Sequence, residues 1–173
     1  YGKHTFFIVG GITLMACGSN DHNVLNFNDS TGTILTPLST GKFDKVDTGK
    51  NHTVVIDETE KAHSWGTNEW GQCGTGVDGK TYLDINNCIE VKCGKEHTAI
   101  LLNNGTVMTW GYNNYGQIGN DSKEKQYTPY LIDDIANIVE IATGEHHTVA
   151  LDKDGVVWCW GNNNYGQYGN GTT

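Results

Sequence analysis

Histidines recur in this sequence in a fixed pattern and have side chains that could carry chemistry. The pattern is Gly-x-x-His-Thr, and it places His52, His97 and His147 at intervals of 45 and 50 residues, after a weaker copy at His4. Imidazoles can bind zinc, but the zinc ligands that one chain supplies usually include a closely spaced pair. One histidine per repeat predicts instead a structural role for His52, His97 and His147, with each ring hydrogen-bonded to nearby backbone.

Aromatic residues followed by Gly-Gln form a second recurring group. They stand at equivalent places in three successive repeats, where rings and amides could stack sugars or contact a protein partner. The alternative interpretation is that the rings pack over the neighbouring repeat while the glutamines bond to loop backbone. The candidate partner-binding residues are Trp70, Gln72, Tyr115, Gln117, Tyr165 and Gln167.

Other reactive side chains form no catalytic arrangement. No nucleophile–base set, phosphate loop or carboxylate pair stands out, so the sequence predicts no enzyme, no cofactor and no metal site. The five cysteines contain no Cys-x-x-Cys and are odd in number, which favours free thiols and a cytoplasmic location. Five Asn-x-Ser/Thr sequons leave a secretory route open, and a nuclear location is also compatible with the sequence.

Charge and hydropathy exclude two classes of partner. The 173 residues carry a net charge of −9, and all 11 basic residues are lysines, which argues against an extended nucleic-acid surface. The longest apolar run covers residues 6–16 and is interrupted by Gly10 and Gly11, which is too short for membrane insertion. The sequence therefore predicts neither nucleic acid nor membrane as a partner.

Short β-prone runs must position these residues. Each histidine is followed by an apolar run, a turn such as Asn104-Gly105, and a second run that ends in Trp-Gly at Trp65, Trp110 or Trp160. These tryptophans are expected to pack between repeats. A further strand precedes each Gly-x-x-His, so the chain is predicted to be all-β, with antiparallel sheets of three or four strands. Repetition every 45 to 50 residues favours a β-propeller over a β-solenoid.

The combined pattern, Gly-x-x-His-Thr followed by Trp-Gly-x-Asn-x-x-Gly-Gln-x-Gly, resembles the regulator of chromosome condensation repeat family. The resemblance implies a seven-bladed propeller with four-stranded blades. This chain would then hold about three and a half blades of a partial propeller spanning 1–173, with a degenerate repeat at about 1–42 and further repeats at 43–88, 89–137 and 138–173. The remaining blades would come from the same longer chain or from a second copy.

Three functions are compatible with this resemblance. The first is a non-catalytic interaction or scaffold module within a larger protein, which binds a protein partner through loops on one face. Family members also act as guanine nucleotide exchange factors for Ran-type small GTPases, so exchange on such a GTPase is the first alternative. The second alternative is a secreted propeller that binds a sugar or another ligand through the aromatic loops.

Overall fold

Four antiparallel sheets follow one another along the chain. The computed structural model describes residues 3–10, 13–25, 36–37, 42–76 and 83–173. These four sheets, which we call blades 1 to 4, confirm the predicted all-β propeller architecture. Their strands are β1 (His4–Val9), β2 (Thr13–Gly18) and β3 (Thr36–Pro37); β4 (Phe43–Thr48), β5 (His52–Asp57) and β6 (Ala62–Gly66); β7 (Cys88–Cys93), β8 (His97–Leu102), β9 (Val107–Gly111) and β10 (Gln126–Ile132); and β11 (Ile138–Thr143), β12 (His147–Asp152) and β13 (Val157–Gly161).

Helix is almost absent from this architecture. The described residues contain one short 3₁₀ turn, Asp21–Asn23, which lies after β2. No helix in the described part of the chain is long and apolar enough to cross a membrane.

The predicted hairpins are present in every blade. In blade 3, β8 pairs with β9 across the Asn104-Gly105 turn, and Gly105 adopts a φ of 80°. Asn104 Oδ1 accepts hydrogen bonds from the backbone N (3.1 Å) and the hydroxyl (2.7 Å) of Thr106. Asn-Gly favours this geometry because the turn requires a positive φ.

Blade 3 also contains a strand that the sequence did not reveal. β10 pairs with β9, but the register shifts between Gln126 and Tyr130, on either side of Pro129. Proline has no backbone N–H to donate, so it is tolerated here at a bulge in the outer strand. The residues between β10 and β11 form an irregular connection.

The second strand of each internal blade is buried on both faces. Val54 and Ile56 of β5 contact a core that includes Ile100 and Trp110 of blade 3. On the other side of blade 3, Leu101 lies in a second core with residues of blade 4. Such stacking explains why these runs are continuously apolar instead of alternating.

In blades 2 and 3, a carboxylate on the first strand bonds to the open edge of the first strand in the next blade. Asp47 Oδ2 of β4 accepts a hydrogen bond from the backbone N of Cys93 in β7 (2.7 Å). Glu90 Oε2 of β7 likewise accepts from the backbone N of Ile141 in β11 (3.1 Å). Each contact satisfies an edge N–H that would otherwise lack a strand partner. Burial raises the pKa of Asp47, although the N–H donors of Cys93 and Thr48 oppose that shift.

Candidate functional site

In blades 2 and 3, a backbone carbonyl in the loop after the third strand forms the connection to the next blade. The carbonyl oxygen of Gln117 accepts hydrogen bonds from the hydroxyl of Thr148 (3.0 Å) and from Nε1 of Trp160 (2.9 Å). The carbonyl of Gln72 accepts the same pair of bonds from blade 3, at 3.0 Å from the Thr98 hydroxyl and 2.9 Å from Nε1 of Trp110. One loop position therefore holds two strands of the following blade.

The first repeat keeps this connection although its loop motif is lost. The carbonyl of Val24 accepts from the hydroxyl of Thr53 (2.9 Å) and from Nε1 of Trp65 (2.6 Å). A backbone oxygen is available whatever side chain stands there. The Gly-Gln-x-Gly motif can consequently disappear from repeat 1 without loss of the connection to blade 2.

The repeated histidines extend the same connection. Nε2 of His52 lies 3.0 Å from the hydroxyl oxygen of Thr98, and Nε2 of His97 lies 3.0 Å from that of Thr148. Each threonine donates its single hydroxyl hydrogen to a carbonyl, so the imidazole must donate through Nε2–H. For both His52 and His97, the partner of Nε2 is therefore a hydroxyl on the next blade instead of the predicted backbone group.

Burial keeps these two imidazoles neutral. Nδ1 of His52 and Nδ1 of His97 are buried and have no hydrogen-bond partner among the described residues. Desolvation is the largest cause that lowers the pKa of each ring to about 3, and neighbouring histidines add to the shift. His147 stands at the equivalent position of blade 4 and is only partly buried, with a pKa that burial also lowers.

The glutamines of the candidate loops organise the loops themselves. Oε1 of Gln72, Gln117 and Gln167 accepts a hydrogen bond from the backbone N of Trp70, Tyr115 and Tyr165, at 2.9, 3.0 and 2.9 Å. Gln72 is 2% exposed and Gln117 is fully buried. These two amides therefore offer nothing to a partner, and Gln72 and Gln117 are removed from the candidate set, whereas Gln167 is half-buried.

An aromatic strip crosses the face on which these loops lie. We define it as Trp70, Tyr112, Tyr115 and His146, which come from blades 2, 3 and 4. Trp70 meets Tyr112 edge-on with centroids 5.1 Å apart, and Tyr112 lies 6.3 Å from Tyr115. Tyr115 stacks on His146 at 4.9 Å. The rings thus pack over the neighbouring blade, as the alternative interpretation of these loops predicted, but part of their surface stays accessible.

Accessibility differs between the equivalent rings. Tyr115 is 41% exposed within the strip, whereas Tyr165, its equivalent in blade 4, is 88% exposed and contacts no other ring among the described residues. Trp70 is half-buried, and Nζ of Lys125 lies 4.4 Å from the centroid of its ring, a cation–π contact.

Ion pairs border the strip. Lys95 is bonded to Glu145, and Lys50 lies 4.0 Å from Glu96. The hydrogen bond from Lys95 is the largest cause that lowers the pKa of Glu145. Burial lowers the pKa of His146, and Nδ1 of this neutral ring lies 3.4 Å from Nε2 of Gln117, which can donate to it.

Sequence reasoning missed two members of the strip. Tyr112 has Ser19, Thr67 and Asn162 at the equivalent repeat positions, and the residues equivalent to His146 are Lys3, Asn51 and Glu96. Because neither aromatic recurs, the repeat pattern contained no signal for them. Aligning the repeats to find positions that change type on a shared loop face could have identified both.

Other titratable groups form no reaction centre in the described part of the chain. No group of three or more His, Cys, Asp or Glu side chains there could hold a metal ion. His63 Nε2 lies 2.7 Å from Asp57 Oδ2, but Asp57 also serves as an acceptor for its hairpin turn. Burial opposes the shift, yet hydrogen bonds from Thr59, His63 and Lys61 lower the pKa of Asp57 to about 2.

Comparison with known families finds matches in the second half of the chain. One family model of the regulator of chromosome condensation (RCC1) repeat matches residues 88–117 and 138–167, and a second model of this repeat matches residues 104–151. Among curated proteins, the serine/threonine-protein kinase Nek9 of Xenopus laevis is 32% identical over 90 residues. That match covers 42% of this chain and 9% of the kinase.

Solved structures match over nearly the whole chain. Human WBSCR16 is 25% identical with a TM-score of 0.86, covering 99% of this chain and 49% of that one. Yeast RCC1 (Prp20), solved with Kap60 bound, is 20% identical with a TM-score of 0.81, covering 93% of this chain and 42% of that one. Another structure of Prp20p, from Saccharomyces cerevisiae, has a TM-score of 0.80 at 21% identity and covers 92% and 43%. The chain spans about half or less of these proteins, and the likeness to Prp20 concerns the fold.

Proposed function

Because the chain contains regulator of chromosome condensation repeats folded as part of a β-propeller, we propose that it is a non-catalytic module that binds a protein partner. The observation that carries the proposal is the aromatic strip, which crosses three blades on one face. Partly exposed aromatic residues at the centre of a face are the usual anchors of protein–protein binding. The strip would provide those anchors, with Tyr115 as the most exposed of its two tyrosines.

The polar groups of the loops favour a protein over a sugar. Sugar recognition needs free amides or carboxylates that bond to hydroxyls beside the stacking ring. Here Nδ2 of Asn113 donates to the carbonyls of Ser122 and Glu124, both at 3.0 Å, and its Oδ1 accepts from the backbone N of Ile118 (3.0 Å). Gln117 is also engaged, so Asn114 is the one exposed amide between residues 112 and 117, which is little polar surface for a sugar.

The state of the titratable groups supports a non-catalytic role. His52 and His97 hold blades together, and burial raises the pKa of the Cys73 thiol to about 12 and that of Cys88 to about 11. Thiols with such high pKa values are poor nucleophiles at neutral pH.

Site-specific photo-crosslinking tests the proposal. We expect a benzophenone amino acid at position 115 to capture a protein in native extract. The same probe at Asn104, in an exposed hairpin turn at the opposite end of the β8 strand, should not. Mass spectrometry of the crosslinked band identifies the partner. Equal capture at both positions, or none at position 115, would contradict binding through this face.

Nucleotide exchange on a small GTPase is the second candidate function. The fold likeness to Prp20 favours it, because the second Prp20p structure is described with binding properties to Gsp1p and histones. The family resemblance also includes exchange factors for Ran-type GTPases. However, the described connection between β9 and β11 contains only the strand β10, and no extra protruding hairpin. Release of fluorescent GDP from a Ran-type GTPase decides between the two candidates, since only the exchange factor accelerates release at substoichiometric concentration.

A further inference from the structure

Two side-chain donors on the aromatic strip take no part in the hydrogen bonds among the described residues. The indole Nε1 atoms of the other four tryptophans each donate to an internal acceptor: those of Trp65, Trp110, Trp158 and Trp160. Nε1 of Trp70 has no acceptor among the described residues, and neither has the hydroxyl of Tyr115. The strip therefore combines apolar ring surface with two donors that could bond to acceptors of a ligand.

The rings of Trp70 and Tyr115 are close enough for one short extended segment to contact both. Tyr112 lies between them, with its ring 5.1 Å from that of Trp70 and 6.3 Å from that of Tyr115. The outer two rings are consequently at most about 11 Å apart, close to the ~9 Å rise of one three-residue turn of a polyproline II helix. A segment of about one such turn therefore has the length to contact both rings.

The charges around the strip favour a ligand without a strong charge of its own. Lys95 and Lys50 are engaged with Glu145 and Glu96, which reduces the positive charge that this part of the face offers to a phosphate or an acidic peptide. Lys125 already lies over the ring of Trp70, where a cationic side chain of a partner would otherwise stack. What remains is affinity for an apolar chain rich in carbonyl acceptors.

We infer that the strip binds an extended, proline-rich segment of the partner in the polyproline II conformation, with Trp70 and Tyr115 donating to its carbonyls and the accessible surface of the Tyr115 ring packing on its prolines. Polyproline II has no internal hydrogen bonds, so its carbonyls are free, and its stiffness reduces the entropy lost on binding. The inference rests on the proposed function, since it specifies the kind of segment that the protein partner presents.

Fluorescence anisotropy with labelled decaproline tests this inference, with a labelled Gly-Ser decamer as the reference probe. We expect saturable binding of decaproline and none of the Gly-Ser peptide. Trp70→Phe keeps a ring and loses the N–H, and Tyr115→Ala loses both ring and hydroxyl. Each should weaken binding by about fivefold or more, the factor that one hydrogen bond is worth. Tyr165→Ala, at the equivalent position outside the strip, should bind like the wild type.

Each contrary result separates this inference from the proposed function. Absence of saturation at about 1 mM decaproline, the limit of weak specific binding, would overturn the inference. Unchanged binding by Trp70→Phe and Tyr115→Ala, or equal weakening by Tyr165→Ala, would overturn it too. If position 115 still crosslinks to a protein partner in any of those cases, the proposed function stands and only the proline-rich ligand is excluded. Thermal unfolding of each variant shows that it is folded.

Discussion

Nε2 of His97 lies 3.0 Å from the hydroxyl of Thr148, and this contact joins two blades across the sheet faces. The Thr148 hydroxyl passes its only hydrogen to the carbonyl of Gln117 (3.0 Å), so the direction of both hydrogen bonds is fixed. We call this histidine–threonine–carbonyl series of hydrogen bonds a relay. An equivalent relay runs from His52 through Thr98 to the carbonyl of Gln72. Each relay joins a histidine of one blade, a threonine of the next blade and a loop carbonyl. The position of the loop therefore depends on how the two blades pack.

Replacing the relay threonine should destabilise the fold. Thr148→Val keeps the shape of the side chain but leaves the Nε2–H of His97 buried without an acceptor, at a cost of about 1–3 kcal/mol. Thr5→Val is the matched control, since Thr5 occupies the same repeat position but is exposed and should change stability by no more than about 0.5 kcal/mol. Urea unfolding measures both. Equal stability of the two variants would contradict a structural role for the relay.

Stability should decrease as the pH falls below neutral. The folded protein holds His52 and His97 neutral to about pH 3, whereas in the unfolded chain both rings titrate near pH 6.5, the ordinary value for histidine. The unfolded state therefore binds more protons between these values, and each histidine lowers the free energy of unfolding by up to about 1.4 kcal/mol per pH unit. The pKa shifts of His4, His146 and His147 have the same sign.

Urea unfolding at several pH values between 7 and 5 measures that slope. His97→Gln, which cannot titrate, should have a slope smaller by the contribution of one histidine. A free energy of unfolding that stays constant or rises as the pH falls would show that these imidazoles are not held neutral in the folded protein.

The sequence predicted the hairpins because local chemistry determines them. Asn104-Gly105 requires a positive φ, and the apolar runs on either side have the right length for paired strands. β10 could not be predicted in the same way, because Pro129 interrupts it and the strand forms only when β9 offers an edge.

The candidate site was predictable only in part. The recurring Trp70 and Tyr115 were identified, whereas Tyr112 and His146 became part of the strip through packing between blades. The partner of His97 was also beyond sequence reasoning, because Thr148 lies 51 residues away in the chain. Contacts between repeats depend on the geometry of stacking, which a single repeat does not encode.

Gly94, between β7 and β8, and Gly155, in the β12–β13 hairpin, should respond differently to substitution. A Cβ on Gly94 would overlap the ring of His97 and lie 2.8 Å from the carbonyl of Gly144, so Gly94→Ala must displace the relay histidine. We expect a loss of at least about 3 kcal/mol or failure to fold. A Cβ on Gly155 would meet no atom within 4 Å, so Gly155→Ala should lower the free energy of unfolding only through its φ of 83°, by about 1–2 kcal/mol. Thermal and urea unfolding compare the two, and a Gly94→Ala variant as stable as Gly155→Ala would contradict the close approach.

The side chain of Gln117 should couple the aromatic strip to the fold. Gln117→Met keeps the length of the side chain and the backbone carbonyl but removes the acceptor for the backbone N of Tyr115 and the donor to His146. Because this residue is fully buried, we expect a loss of about 1–3 kcal/mol and weaker capture of a partner at position 115. Gln167→Met removes the equivalent bond to Tyr165 at a half-buried site, and should cost less and leave capture unchanged. Urea unfolding and crosslinking measure the two effects, and capture that survives Gln117→Met undiminished would show that the strip does not depend on this amide.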